Sequence, residues 1–381
     1  MGNNKLLFIV NVDWFFISHR LPIALKALEE GYEVHLACAF SNKKEELKRL
    51  GIQCHDIAFS RSGYSLREEL SVIVNIRKLI KKINPDIVHA VTIKPVLYSG
   101  FVLQSIMHPP ALVAAISGLG YVFTANTIRA KLTRLIVFLL YKFALRGKRK
   151  KVIFQNSSDQ KILSDIVNLT EIDRTLIKGS GADLSIYQYK LEPQTKIKVI
   201  SMACRLLKEK GVLQFVDAAR IITTRFPDVE FWLIGNVDPE NPNSITAEEV
   251  DSWVEEGVII ALGHRDDIPK LFAESHIITM PSFYGEGVPK VLIEAAACGR
   301  PIVTTDNPGC RESVIDKKTG LIVPIKDSVA IADAISILLM NNQMRIDMGA
   351  RARDYAVNEF DVNNVVEKHI EIYKSLMVNK Q

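Results

Sequence analysis

The chain has 381 residues, of which 48% are hydrophobic, enough for two domains with separate cores. A formal charge of +5 is too small to mark the whole chain as a nucleic-acid binder, although one basic run is locally dense. Cys38, Cys54, Cys204, Cys298 and Cys310 form no Cys-x-x-Cys pair, which argues against zinc ribbons and disulfide scaffolds and suits reduced core thiols in the cytoplasm. No apolar run reaches the roughly 18 residues of a membrane span. The stretch behind Met1 is expected to be a strand rather than a secretory signal.

In chain order, Lys5 to Val12 reads as a buried parallel strand, Ser18 to Gly31 as a helix closed by Gly31, and Tyr32 to Ala39 as a second strand. The turn between the first two lacks a GxGxxG fingerprint, so dinucleotide binding is not expected there; Asp13, His19 and Arg20 are its polar members. Helices are predicted over 43–50 and 66–83, then a strand from Pro85 to His89. Ligands of open α/β sheets bind beyond the carboxyl ends of the strands, which makes His89, Thr92 and Lys94 candidates for an interdomain cleft. A core role for His89 and a solvated one for Lys94 stay open beside that reading. The strand Leu112 to Ile116 runs into Ser117-Gly-Leu-Gly-Tyr-Val-Phe123.

Arg129 to Lys151, RAKLTRLIVFLLYKFALRGKRKK, has a seven-residue apolar centre and Arg or Lys at five of the six positions from Arg146 to Lys151. It reads as an interfacial helix on an anionic membrane surface or as a core helix with a solvated basic end. No aromatic residues interleave the basic run, so nucleic acid is not expected as a partner. A strand at 151–155, a helix at 157–167 and a short strand at 175–178 follow, and a polar linker covers Asp183 to Thr195. The second sheet is predicted to begin at Ile197 to Ala203. Arg205 and Lys210 then lie in a strand-to-helix turn, a planar fork and a point charge suited to gripping a diphosphate. A helix from Val212 to Arg225, a strand from Val229 to Ile234 with Gly235 behind it, and a strand from Val258 to Leu262 with the loop Gly263 to Asp267 continue the pattern.

The stretch Pro281 to Pro301, PSFYGEGVPKVLIEAAACGRP, lies between the apolar runs 276–280 and 301–305 and completes a βαβ unit. Gly285 and Gly287 permit unusual loop angles, and Pro289 suits the first turn of a helix whose free amides attract phosphate. Glu286 and Glu294 stand eight residues apart, one in the loop and one in the helix, so both are able to border one ligand. The alternative is a helix start with a solvated Glu. Helices at 330–339, 342–357 and 362–377 end the chain, the last expected to return to the N-terminal domain.

E-G-V-P-K-V-L-I-E-A, with P-S before it and A-C-G-R-P-I-V-T-T-D and P-G-C-R-E after it, resembles the Glu-x7-Glu signature of the family-four retaining glycosyltransferases of GT-B architecture. The resemblance implies an α/β GT-B fold: two doubly wound Rossmann-like domains facing a central cleft, with residues 1–183 binding the acceptor, 184–357 the donor, and 358–381 crossing back. It implies that Glu294 holds the ribose of a UDP-sugar, that Glu286 contacts the hexose, and that Arg205 and Lys210 hold the diphosphate. Catalysis is thereby expected from Glu286, Lys210 and Arg205, and donor binding from Glu294, Gly287, Val288, Pro289, Gly235 and His264. Asp13, His19, Arg20, His89, Lys94, Ser117, Gly118 and Gly120 are the acceptor-side candidates. Many members carry His where Ser117 stands, so no general base is assigned.

ISGLGYVF and TIKPVLYSG are most similar to a subgroup that adds N-acetylhexosamine to undecaprenyl-diphosphate-linked sugars in O-antigen and N-glycan assembly. The resemblance implies a retaining transferase of N-acetylgalactosamine, α-1,3-linked, at the cytoplasmic face of the inner membrane. Its partners would be a UDP-sugar, a polyprenyl-diphosphate-linked acceptor and the anionic membrane surface met by Arg129 to Lys151. A lipid-linked acceptor favours the interfacial reading of that segment. No cofactor or metal is expected: UDP-sugar is substrate, and the chain has no Asp-x-Asp motif. Another UDP-hexose, a nucleotide-sugar epimerase or phosphorylase on the same fold, and a non-catalytic membrane scaffold are the alternatives.

Overall fold

A computed structural model describes residues 4–59, 66–120 and 128–378. The chain divides into two compact units. One runs up to Ser180 and resumes at Val362; the other spans Gly181–Asp361.

The first unit holds a seven-stranded, all-parallel sheet in the order β3-β2-β1-β4-β5-β6-β7. Its strands are β1 Lys5–Val12, β2 Glu33–Ala39, β3 Gln53–Asp56, β4 Ile87–Val91, β5 Ala111–Ile116, β6 Lys150–Phe154 and β7 Arg174–Leu176. Along β1, Leu6, Phe8 and Val10 join one core while Leu7 and Ile9 join the core on the opposite face, the two-residue period of a strand covered on both sides. Each such Ile, Leu, Val or Phe contributes about 1.5–3 kcal/mol by burial. The Val362–Val378 helix closes one of these cores with Val365, Ile370, Tyr373 and Leu376 and packs on the Leu21–Glu29 helix.

The second unit holds a six-stranded parallel sheet in the order β10-β9-β8-β11-β12-β13. Its strands are β8 Lys198–Ala203, β9 Val229–Ile234, β10 Ile260–Gly263, β11 Ile277–Met280, β12 Ile302–Thr305 and β13 Gly320–Val323. All four residues of β11 and of β12 are buried. The chain enters and leaves this unit side by side, the amide of Ala182 donating to the carbonyl of Phe360 at 2.8 Å.

Three local expectations change. The helix predicted from Ser18 to Gly31 is two helices, Asp13–His19 and Leu21–Glu29, broken at Arg20. Pro22 has no N–H to donate, and in a continuous helix its ring would strike the carbonyl of Ser18. The strand predicted at Pro85–His89 is shifted to Ile87–Val91, which moves His89 from the strand end to its middle. The basic end of Arg129–Lys151 is not helical: the Ile128–Ala144 helix stops first, 145–149 form an irregular loop, and Lys150 and Lys151 begin β6. No helix among the described residues is long and apolar enough to cross a membrane.

Candidate active site

In the six-stranded sheet the strand order reverses between β8 and β11, and the crevice beyond the carboxyl ends at such a reversal is where parallel sheets hold ligands. Arg205 and Lys210 follow β8, and Glu286 follows β11, so topology brings residues about 80 positions apart to one edge. Lys210 lies in a short 3-10 turn, Lys208–Lys210, closed by Gly211 in the left-handed conformation at φ +84°. Only glycine fits at that position: a Cβ there would sit 2.3 Å from the carbonyl oxygen of Pro281.

The Lys210 ammonium pairs with the Glu286 carboxylate, both side chains less than one-fifth exposed. Burial by itself would depress the lysine pKa; Glu286 outweighs it and holds Lys210 above its usual value, fully charged. The other Glu286 oxygen accepts from the Ser282 hydroxyl at 2.6 Å, and the carbonyl of Glu209, 3.1 Å from the same hydroxyl, is the alternative acceptor for its single proton. Thr305 and Asn307 donate to the carbonyls of Ser282 and Tyr284, fastening the loop from beneath. Gly309 lets the loop lie close: a Cβ there would meet the carbonyl oxygen of Gly287 at 1.9 Å. Burial first, then the charge of Glu286 against those of Lys210 and Arg205, pushes the pKa of the Cys204 thiol up to about 12. The Arg205 guanidinium reaches Asp238 at 3.2 Å and is about half exposed.

Gly287, Val288 and Pro289 lead from this loop into the Lys290–Ala297 helix, where the Leu292 and Ile293 amides bond the carbonyl of Pro289 and the amides ahead of them stand outside the helical ladder. Glu294, 7% exposed, lies within that helix and pairs with Lys290 at 3.1 Å. The Tyr187 phenol also hydrogen-bonds Glu294; burial first, then that carboxylate, raises its pKa. Tyr187 comes from the segment read as linker, and its alternation with polar neighbours concealed the contact. Gly235, at φ +137°, packs where a Cβ would lie 1.8 Å from the carbonyl of Cys204. His264 is exposed, lies 3.4 Å from Asp266, and follows Gly263, whose carbonyl accepts from the Gly235 amide at 2.8 Å.

In the seven-stranded sheet the reversal falls between β1 and β4. Asn11 Oδ1, Thr92 Oγ1 and Ser117 Oγ, at the carboxyl ends of β1, β4 and β5, are buried without a hydrogen-bond partner. Thr92 is held at φ +75°, ψ 170°, a conformation other than glycine rarely takes, with its amide on the carbonyl of Ala115 at 3.1 Å. Gly118 and Gly120 take positive φ, and the Leu119 amide between them bonds Asp159, a carboxyl that burial raises to about 6. Asp159 and Asn11 were missed by sequence reading because neither stands in a recognisable motif.

The remaining acceptor-side candidates take structural places. His89 is fully buried in mid-strand, its Nδ1 2.6 Å from the Tyr373 hydroxyl, and so is a core histidine rather than a strand-end ligand group. Arg20 is 2% exposed at the helix break and donates to the carbonyl of His19. Asp13 is consumed by the hydroxyl and amide of Ser41 and the amide of Lys43, which anchors the turn after β2. His19 stacks on Phe15 with ring centroids 4.1 Å apart. Lys94 pairs with Glu69 at 2.6 Å.

Comparison with known proteins gives this arrangement a context. Residues 197–341 match the family described as glycosyl transferases group 1, and residues 5–156 match the family described as glycosyl transferase 4-like. The N,N'-diacetylbacillosaminyl-diphospho-undecaprenol alpha-1,3-N-acetylgalactosaminyltransferase of Campylobacter jejuni is 27% identical over 385 residues, covering 96% of this chain and 99% of that one. The UDP-Gal:alpha-D-GlcNAc-diphosphoundecaprenol alpha-1,3-galactosyltransferase of Escherichia coli is 23% identical, covering 92% of this chain and 91% of that one. Among solved structures, Anabaena HepE in complex with UDP and glucose superposes with a TM-score of 0.76 at 18% identity, over 98% of this chain and all of that one. With a glycosyltransferase family matched in each half and relatives along nearly its whole length, the chain belongs to the glycosyltransferases of two-domain GT-B architecture.

Proposed function

We propose that the chain transfers a hexosamine, N-acetylgalactosamine in α-1,3 linkage, from its UDP-sugar to an undecaprenyl-diphosphate-linked sugar during assembly of a bacterial surface polysaccharide or glycan, at the cytoplasmic face of the membrane. The observation that carries it is the Lys210–Glu286 pair at the β8/β11 reversal, beside a helix start and the buried Glu294. The donor and acceptor classes rest on the whole-length relatives from Campylobacter and Escherichia coli.

In this reading Glu294 accepts from the two ribose hydroxyls, and Tyr187 and Lys290 hold its carboxylate in place. Lys210, Arg205 and the first amides of the Lys290–Ala297 helix surround the diphosphate. They stabilise the negative charge that grows as the bond between the sugar C1 and the phosphate oxygen breaks. Glu286 accepts from hydroxyls of the transferred sugar. An acceptor hydroxyl bonds to C1 from the same face, and its proton passes to the departing phosphate oxygen, so configuration is retained without a protein nucleophile. The positive charge that a metal would otherwise supply comes from Lys210 and Arg205, and a chelator is expected to leave the rate unchanged.

The test is UDP release from UDP-N-acetylgalactosamine, UDP-N-acetylglucosamine, UDP-glucose and UDP-galactose, each with and without a short-chain polyprenyl-diphosphate-linked N-acetylhexosamine. Acceptor-dependent release from UDP-N-acetylgalactosamine alone, with an α-1,3-linked product, is expected. Preference for another donor would replace the sugar assignment, and absence of acceptor dependence with every donor would remove the acceptor assignment.

A further inference from the structure

Asp159 is 8% exposed and serves two partners, one in its own helix and one outside it. It lies in the first turn of the Ser157–Val167 helix, where its amide donates to Oδ1 of the N-cap residue Asn156 at 2.7 Å and its Oδ2 accepts from Asn156 Nδ2 at 2.8 Å. A helix start asks only for the first of these bonds. The carboxylate also accepts from the Leu119 amide, in the loop that leaves β5. In that loop Gly118 and Gly120 take φ of +105° and +78°, Leu119 is buried, and the buried Ser117 Oγ has no hydrogen-bond partner.

Among the described residues no cation offsets the Asp159 charge, and the titratable group in electrostatic reach is the buried Tyr141 phenol of the Ile128–Ala144 helix. A buried phenol stays neutral and supplies no compensating charge. Ionised, the Asp159 carboxylate holds both donors by charge-assisted bonds. Protonated, it gives up that charge and turns one oxygen into a donor, which weakens its hold on the Leu119 amide. We propose that Asp159 is a positioning residue for the acceptor side of the transfer: acting through the Leu119 amide, its ionised carboxylate keeps the Ser117–Gly120 loop in the shape that receives the acceptor sugar. The inference rests on the proposed reaction and on acceptor binding by the first unit. Burial raises the Asp159 carboxyl to about 6, so the hold weakens within a range where rates are measurable.

Initial rates of UDP release between about pH 5 and pH 8 test it, with the polyprenyl-diphosphate-linked N-acetylhexosamine varied and UDP-N-acetylgalactosamine, or whichever of the four UDP-sugars is the donor, saturating. The wild-type KM for the acceptor is expected to be level above about pH 6.5 and to rise about tenfold toward pH 5, with KM for the UDP-sugar unchanged. Asp159→Asn, equal in size and always neutral, should show an acceptor KM about tenfold above the neutral wild-type value at every pH. Acid unfolding would lower kcat rather than raise one KM, and the wild-type profile needs no variant if Asp159→Asn folds poorly. An acceptor KM independent of pH in the wild type, or the same pH dependence in Asp159→Asn, would overturn the inference and leave Asp159 as a helix cap. Absence of acceptor-dependent release in the wild type at every pH would remove the proposed reaction itself, and this inference with it.

Discussion

Lys210 and Glu286, 76 residues apart in sequence, form an ion pair at the carboxyl edge of the six-stranded sheet, with Ser282 completing the carboxylate's hydrogen bonds. The pair keeps a charge of each sign ready at a place where a diphosphate and a sugar would divide them. Lys210→Ala and Glu286→Ala are each expected to lower kcat by about 100-fold or more, the scale of losing one preorganised donor or charge. Each single change should cost about 1–3 kcal/mol of stability by leaving its partner half-buried and unpaired. The double variant should be far less than additive in stability. Denaturant titrations and initial rates on the three variants decide it; wild-type kcat in either single variant removes the assigned role.

Gly309→Ala tests whether the Glu286 loop is shaped from beneath. Its new methyl would lie 1.9 Å from the carbonyl of Gly287 and 2.5 Å from that of Glu286. Neither backbone atom yields cheaply, so a stability loss of about 1–3 kcal/mol is expected, with weaker UDP binding by calorimetry. Unchanged UDP affinity in a folded variant would show that the loop's position does not matter to the donor.

Thr92 sets stability against function. Its φ of +75° and ψ of 170° carry strain of about 1–3 kcal/mol that glycine would not feel, while its unpaired Oγ1 stands at the carboxyl edge of β4. Thr92→Gly should raise the melting temperature and also raise KM for the acceptor without changing KM for the donor. A stabilised variant with unaltered acceptor kinetics would reduce the strain to a feature of the fold.

The buried histidines predict acid sensitivity. Burial, reinforced by the Arg20 charge, holds His369 down at about 3, and burial with His369 and Arg20 nearby holds His89 well below its usual range. His369 projects from the Val362–Val378 helix onto His89 in β4, ring centroids 5.7 Å apart. In the unfolded chain each takes a proton near pH 6.5, so below that value the unfolded state binds more protons than the folded one. Stability is therefore full above about pH 6.5 and falls on acidification, by about 1.4 kcal/mol per pH unit for each histidine. His276, held down to about 4 by burial, adds to the same slope. Urea midpoints measured on either side of about pH 6.5 should show it, and His369→Gln should make it shallower by about 1.4 kcal/mol per pH unit. A flat profile in the wild type would mean that neither ring is neutral and buried.

The order of strands and helices was legible because strands covered on both faces read as continuous apolar runs and their connecting helices carry a longer period, as β4, β5, β11 and β12 show. The carboxylate and glycine spacing around Glu286 and Glu294 was legible for a similar reason: a loop that must turn tightly into a helix leaves a local record in residue type. Pairings across sequence left no such record. Nothing in the chain's order told that His89 would be taken by Tyr373, 284 residues away, or Asp13 by Ser41. Nor did it tell that Tyr187 would reach Glu294 from a polar connecting segment. Whether a polar side chain is free for chemistry depends on which neighbours the folded sheet brings within hydrogen-bond distance, about 3 Å. Local sequence therefore determined the elements and the type of site, while tertiary packing decided which of its polar residues remain unpaired.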